Sequence, residues 1–326
     1  MKHRLPRFLL RRLSQAVLIV VGIAIVNFLL VHLAPGDAVD VLAGESGAAD
    51  AAYVAELRER FGLDRPLPVQ LARYLWNISR LDMGHSFRHE MPVARLILQR
   101  LPPTLLLMVA SLAIAFVAGL VLGVTAARRV RSFTDTVISV AALLAYATPL
   151  FWLGLMLIVV FTLKLGVLPA GGISAIAAAQ TPLEHALDVL RHLVLPATTL
   201  SLFYMATYTR LMRASMLEVL GMDYVQAARA KGLSEWRVAY RHALRNAILP
   251  MVTVLGVQVG SLLGGAVVVE VVFAWPGLGR LAFEAIFQRD VNLLLGILLL
   301  SSCLVVAANV VVDLLYSWLD PRIAVR

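Results

Sequence analysis

Between two apolar runs of the chain lies Met222–Pro250, MDYVQAARAKGLSEWRVAYRHALRNAILP. It is basic, rich in helix formers and interrupted once, by Gly232. Asp223 is expected to N-cap a short helix over Tyr224–Lys231, with Gly232 as its C′ stop. Ser234 then caps a second helix that holds Trp236, Val238, Tyr240 and Leu244 with Arg237, Arg241 and Arg245. A polar helix–glycine–helix unit between apolar spans suits contact with another protein. A solvated amphipathic loop has the same composition, and both readings stand at this point.

Outward from that stretch the chain is apolar. Of 326 residues 60% are apolar and 15% charged, where a soluble protein carries about 25% charge. The solvent for most of the chain is therefore lipid. A first apolar run covers Leu13–Leu33, after a basic start with Lys2, Arg4, Arg7, Arg11 and Arg12 and no acid. It is longer than a signal-peptide core and no small-x-small cleavage site follows, so it is expected to stay as a transmembrane helix. Five further spans are expected at about Leu101–Ala126, Val137–Leu163, Leu193–Leu211, Ala247–Val269 and Asn292–Tyr316. Each can cross roughly 30 Å of hydrocarbon at about 1.5 Å per residue. The expected fold class is an all-α polytopic membrane protein with six transmembrane helices. Residues 1–33 form the N-terminus and first span, 34–100 an outer helical segment, and 101–326 a five-helix domain. The outer segment opens on the turn Pro35-Gly36-Asp37, and helices are expected over 50–61 and 66–79.

Six spans put both ends on one side, and charge chooses the side. The N-terminus, the turn Arg128-Arg129-Val130-Arg131 and the 222–250 stretch are strongly basic; only Asp135, Glu218, Asp223, Glu235 and Asp320 oppose them. Basic short loops stay in the cytoplasm, so N-terminus and C-terminus are both expected inside. The formal charge of +9 is then a topology signal and calls for no nucleic-acid partner. One cysteine, Cys303, excludes an internal disulfide and a multi-cysteine metal site. No catalytic residue and no metal ligand set is found. A P-loop needs Gly-Lys before Ser or Thr, no such pair occurs, and no His-Glu-x-x-His is present. Energy for pumping must come from a partner chain or an ion gradient.

Polar positions on the spans are candidates for a pathway: Tyr146 and Thr148 in the third, Ser201, Tyr204 and Tyr208 in the fourth, Gln258 in the fifth. Interhelical packing uses the same residue types. Pro149 should kink or break the third span. Gly256, Gly260 and Gly264, at four-residue spacing, permit close helix approach. Asp313 is an acid within the sixth span and a candidate ion-coupling site. Past the fifth span come Glu270 and the turn Trp275-Pro276-Gly277, then an apolar stretch, Leu278–Phe287, with Arg280 and Glu284 at i,i+4.

Gln226-Ala227-Ala228, three residues, then Gly232 resembles the E-A-A-x3-G signature of ATP-binding-cassette importer permeases. Gln replaces the first Glu, and the Ile-Leu-Pro that follows is displaced to Ile248-Leu249-Pro250. A-R-A-K-G-L with R-H-A-L-R-N-A resembles the dipeptide, oligopeptide and nickel permease subfamily. Ala34-Pro35-Gly36-Asp37, Phe61–Pro68, Met83-Gly84, Ala147–Gly154, Glu270 with Phe273–Gly279, and Asp320-Pro321-Arg322 match its first permease subunit. The resemblance implies that the helix at about 223–231 couples to a cytoplasmic ATPase through Asp223, Gln226, Ala227, Ala228, Arg229, Lys231 and Gly232. It implies a second homologous permease, two ABC ATPase subunits that bind ATP and Mg, and an external substrate-binding protein. Glu270, Trp275, Pro276 and Gly277 would then border the outer gate. The implied location is the bacterial inner membrane, and the implied substrate a di- or oligopeptide, with nickel or glutathione as alternatives. From another class, an ion-coupled secondary transporter working through Asp313 fits the same composition, as does a non-transporting membrane scaffold.

Overall fold

The computed structural model describes residues 4–33, 64–80, 82–86, 88–175 and 181–319. The helix expected over 50–61 and the turns at Pro35 and Asp320 lie outside these residues, as does the side chain of Asp313. The chain divides into two compact units, Met1–Leu101 with Leu281–Val310, and Pro102–Arg280 with Val311–Arg326.

The first unit begins with α1 (Arg4–Leu33) and α2 (Leu67–Ser79). Pro66 precedes α2 and Pro68 lies in its first turn, where a missing N–H costs nothing. His32 joins the two helices, reaching Gln70 Oε1 at 3.2 Å, and Phe28 packs against Tyr74. A two-residue hairpin follows, β1 (His85–Ser86) against β2 (Met91–Pro92), antiparallel with His85 opposite Pro92. Ser86 donates to the buried carboxylate of Asp290, which also accepts from Leu293 N at 3.1 Å. Asp290 thereby caps α12 (Val291–Leu319) and ties the hairpin to it.

The second unit is organised on α6 (Pro182–Leu220), which opens with a capping box of Thr181 and Glu184. Packed on it are α4 (Phe133–Ala147), α5 (Leu150–Leu157), α9 (Leu244–Ala247) and α10 (Leu249–Val272). The unit also holds α3 (Val93–Arg128) from Pro102 onward. Gly119 and Gly123 of α3 face α6: a Cβ at Gly123 would lie 2.8 Å from Thr209 O and one at Gly119 3.2 Å from Met205 O. The close approach is therefore made by this pair. Gly264, expected in that role, has open space around it, whereas its neighbour Gly265 faces Tyr204 and Leu200 of α6.

Among the described residues, three helices are long and apolar enough to cross a membrane: Val93–Arg128, Pro182–Leu220 and Val291–Val310. The pair Phe133–Ala147 and Leu150–Lys164, bent by 106°, passes the same test only when its two helices are taken together, as a broken span or a re-entrant loop. The bend falls at Thr148-Pro149, where Thr148 takes an extended ψ of 129° ahead of the proline. Past α5 the pair continues as a π-helix, Ile158–Lys164.

Candidate functional site

Leaving α6 at Gly221, the chain turns once and enters α7 (Asp223–Ala230). Met222, not Asp223, holds the N-cap position, with φ −72° and ψ 147° and no side-chain cap bond. Asp223 is the first helical residue, where its charge still meets the positive end of the helix dipole. The other end is as expected. Gly232 has φ +77°, its N–H bonds Arg229 O at 2.8 Å, and Leu233 N bonds Ala228 O at 3.4 Å. This is a Schellman end with glycine at C′.

Val225 and Ala228 bury one face of α7, while Asp223, Gln226, Ala227, Arg229 and Lys231 are exposed. Arg229 is taken up within the chain. Its Nε and Nη2 donate to Glu235 at 2.9 and 3.2 Å, and Nη1 donates to Leu220 O at 3.3 Å. Tyr224 donates to His242 O and accepts from Asn246, so α7 is laced to the segment on its C-terminal side. That segment is not one amphipathic helix. It is α8 (Glu235–Arg237), a π-helix over Val238–Ala243, and α9. The wider π period puts Val238 and Ala243, five apart, on one buried face, which a 3.6-residue reading does not foresee. A cavity of about 760 Å³ lies behind the element, lined by Arg128, Arg129, Leu220, Arg229 and Glu235 among others.

An ion pair with a buried carboxylate and a half-buried guanidinium joins α6 to the start of α4. Arg213 of α6 donates from Nε and Nη2 to the two carboxylate oxygens of Asp135 at 2.7 and 2.8 Å. Arg131 N and Ser139 Oγ add two further bonds to Asp135. Sequence reading passes over this pair. Its signal is Asp135 as the lone acid beside the basic turn, with Arg210 and Arg213 as bases on an otherwise apolar stretch of α6.

At the far end of α10 another buried carboxylate organises the turn. Glu270 is fully buried and accepts from Thr104 Oγ1 at 2.6 Å and Arg280 N at 2.9 Å. Thr104 Oγ1 accepts from Leu278 N at 2.7 Å, so these donors gather the first residues of α11 (Leu278–Phe287). Trp275, fully buried, donates from Nε1 to Pro103 O at 2.9 Å. Pro276 follows, and Gly277 rests directly on the Glu270 carboxylate, leaving no room for a Cβ. Glu270, Trp275, Pro276 and Gly277 are thus brought together as a turn.

The pathway candidates divide. Ser201, Tyr204 and Tyr208 are buried within the unit, and Ser201 bonds the backbone of its own helix. Thr148 and Gln258 are half-buried, and Tyr146 is exposed and stacked on Phe203. Among the described residues no group of three His, Cys, Asp or Glu could hold a metal ion.

The chain has known counterparts in sequence and in fold. Residues 119–325 match the family described as "Binding-protein-dependent transport system inner membrane component", and residues 5–108 match its N-terminal companion. The chain belongs to this family. The oligopeptide transport system permease protein AppB of Bacillus subtilis is 39% identical over 97% of this chain and 98% of its own length. The dipeptide transport system permease protein DppB of Escherichia coli is 38% identical over the same shares. In fold, the chain is similar to a solved chain of the MetNI methionine ABC transporter in an inward-facing conformation. The TM-score is 0.56 at 17% identity, over 69% of this chain and 96% of that one. The resemblance read from the motifs is met.

Proposed function

We propose that this chain is the permease subunit of an ATP-driven importer of di- or oligopeptides. The near-full-length likeness to AppB and DppB, named for oligopeptide and dipeptide transport, carries the reading. In it the chain crosses the inner membrane six times with both termini in the cytoplasm, and the bent pair α4–α5 serves as the third crossing. It pairs with a second homologous permease, two cytoplasmic ATPases and an external binding protein. ATP and Mg belong to the ATPases, and this chain is no enzyme.

The free face of α7, Asp223, Gln226, Ala227 and Lys231, seats in the ATPase groove. Val225 and Ala228 hold the helix to its own chain, Arg229 braces it against Glu235, and Gly232 sets its exit angle. Closure of the ATPase pair then displaces α7 as a rigid body. The Asp135–Arg213 pair carries part of that displacement from α6 into α4. Tyr146, Thr148 and Gln258 line the path, with Ser201, Tyr204 and Tyr208 packed behind them. The turn from Glu270 to Gly277 fixes α11 beside the outer mouth, where the binding protein docks.

Reconstitution with all partners in proteoliposomes tests the reading. Peptide uptake should require ATP and the binding protein. Uptake by the chain free of ATPases, driven by a proton gradient, would defeat it. Orientation is checked in intact cells by an impermeant thiol reagent, which should label a cysteine at position 50 and leave one at position 234 unlabelled.

A further inference from the structure

Two arginines stand three residues apart on α6 and have opposite surroundings. Arg213 reaches the start of α4 and is held by Asp135. Arg210 lies on another stripe of the helix and is exposed, its guanidinium carbon 4.5 Å from the centre of the Tyr146 ring. Among the described residues that ring contact is its one interaction. A ring accepts charge but leaves the guanidinium's N–H donors without an oxygen partner. Tyr146 is 44% exposed and stacks on Phe203 with ring centres 5.3 Å apart and planes at 15°. Cation, ring and ring form a column where α4 and α6 cross.

The column points in an unexpected direction. α4 and α6 run antiparallel, since Asp135 meets Arg213 while Tyr146 meets Phe203. Tyr146 lies about 16 Å along α4 from Asp135, at 1.5 Å per residue. The Arg210 side chain therefore extends away from the Asp135 end of α4 and toward the middle of α6, where Phe203 lies. A lipid-facing arginine would turn the other way, back to the water boundary. An exposed guanidinium turned toward mid-helix fits a water-filled path, where ionisable groups mark the route of a substrate.

We propose that Arg210 is an anion-binding group of the translocation path and that its ligand is the terminal carboxylate of the passing peptide. The proposal rests on the peptide-importer reading. A guanidinium fork matches a carboxylate with two parallel hydrogen bonds. The terminal carboxylate is the one anion that every peptide carries whatever its side chains, so one fixed cation can serve a varied substrate set. A lipid phosphate sits at the water boundary, on the level of Asp135, away from the guanidinium. Tyr146 keeps the cation in place between substrates without neutralising it.

The complete transporter in proteoliposomes provides the test. Its binding protein is loaded in turn with trialanine and with trialanine amide, and loading is checked by calorimetry. Arg210→Gln should lower the ratio of acid to amide uptake by about tenfold or more, the loss expected for one charge-assisted pair. Arg210→Lys, which keeps the charge and loses the fork, should restore part of that ratio. Co-purification of the ATPases with both variants reports an intact fold. An unchanged ratio, with uptake of both peptides lost together or kept together, overturns the proposal. Equal loss would assign Arg210 to packing or to an acid of the second permease. A wild-type transporter that moves neither peptide sinks the peptide reading itself, and this proposal with it.

Discussion

The turn after α7 and the turn after α10 both stop a helix abruptly, and their surroundings are opposite. Gly232 has φ +77° and nothing within 4 Å of where a Cβ would sit. Gly277 lies against the Glu270 carboxylate, itself pinned by Thr104 and the backbone of Arg280. One glycine is used for its backbone freedom, the other for the space it leaves. The first turn carries an exposed helix, the one proposed to dock on another surface. The second turn is closed on itself, with each polar group answered inside the chain. A surface that docks needs an accessible face at a set angle; a surface that positions other elements needs rigidity.

The largest effect should come from Gly277→Ala. The added methyl enters space already held by the carboxylate, and that carboxylate has no free direction to yield. A loss of about 3 kcal/mol or more is expected, the scale of overpacking joined to a broken buried network. It should be read as a lower Tm of the purified protein and a reduced membrane level. An unchanged Tm would mean the turn is loose, and the contrast with Gly232 would fail.

Glu270→Gln tests the same network with less force. The amide keeps one acceptor for the Thr104 hydroxyl but turns an NH2 toward the N–H of Arg280, donor against donor. The expected cost is about 1–3 kcal/mol, below that of Gly277→Ala and above that of Gly232→Ala. Reversal of that order would show that charge, not space, governs the turn.

Much of this is legible in the chain, and the misses have physical causes. Gly232 is readable because a helical run, a glycine and a fresh start at Ser234 are local signals. The break at Pro149 is readable because proline removes an N–H wherever it stands. Asp135–Arg213 escapes notice because pairing across 78 positions leaves no local mark. For Ser201, Tyr204 and Tyr208 a polar stripe looks alike facing a lumen or a neighbouring helix, and their burial within the chain is tertiary. The Gly256-Gly260-Gly264 repeat draws attention from Gly119 and Gly123, whose spacing is the same. Spacing says only that a close approach is allowed, not where it happens.

Gly232 itself should be tolerant of size and intolerant of backbone restriction. Gly232→Ala meets no atom, so its cost is that of a left-handed φ, about 1 kcal/mol. Gly232→Val adds β-branching at the same φ and should cost more. Membrane level should stay near wild type for both. Co-purification of the ATPases and substrate-stimulated hydrolysis should fall for Val and less for Ala. Full coupling in the Val variant would reduce this turn to a connection, and its difference from the Gly277 turn would carry no functional meaning.

The smallest effect concerns the brace of α7. Arg229 and Glu235 are well exposed, with side chains 38% and 65% accessible, and such a pair contributes about 0–1 kcal/mol. Glu235→Gln alone should barely move Tm, and added salt should erase the difference. The informative measurement is a double-mutant cycle with Gly232→Ala. Both changes act on the angle at which α7 leaves its neighbours, one through φ and the other through the bonds that join Arg229 to Glu235 and Leu220. If the turn is one unit, their effects on ATPase affinity should miss additivity by about 0.5 kcal/mol or more. Simple additivity would mean that buried Val225 and Ala228 alone set the angle. The exposed turn would then be as firmly seated as the closed one, by apolar contact in place of hydrogen bonds.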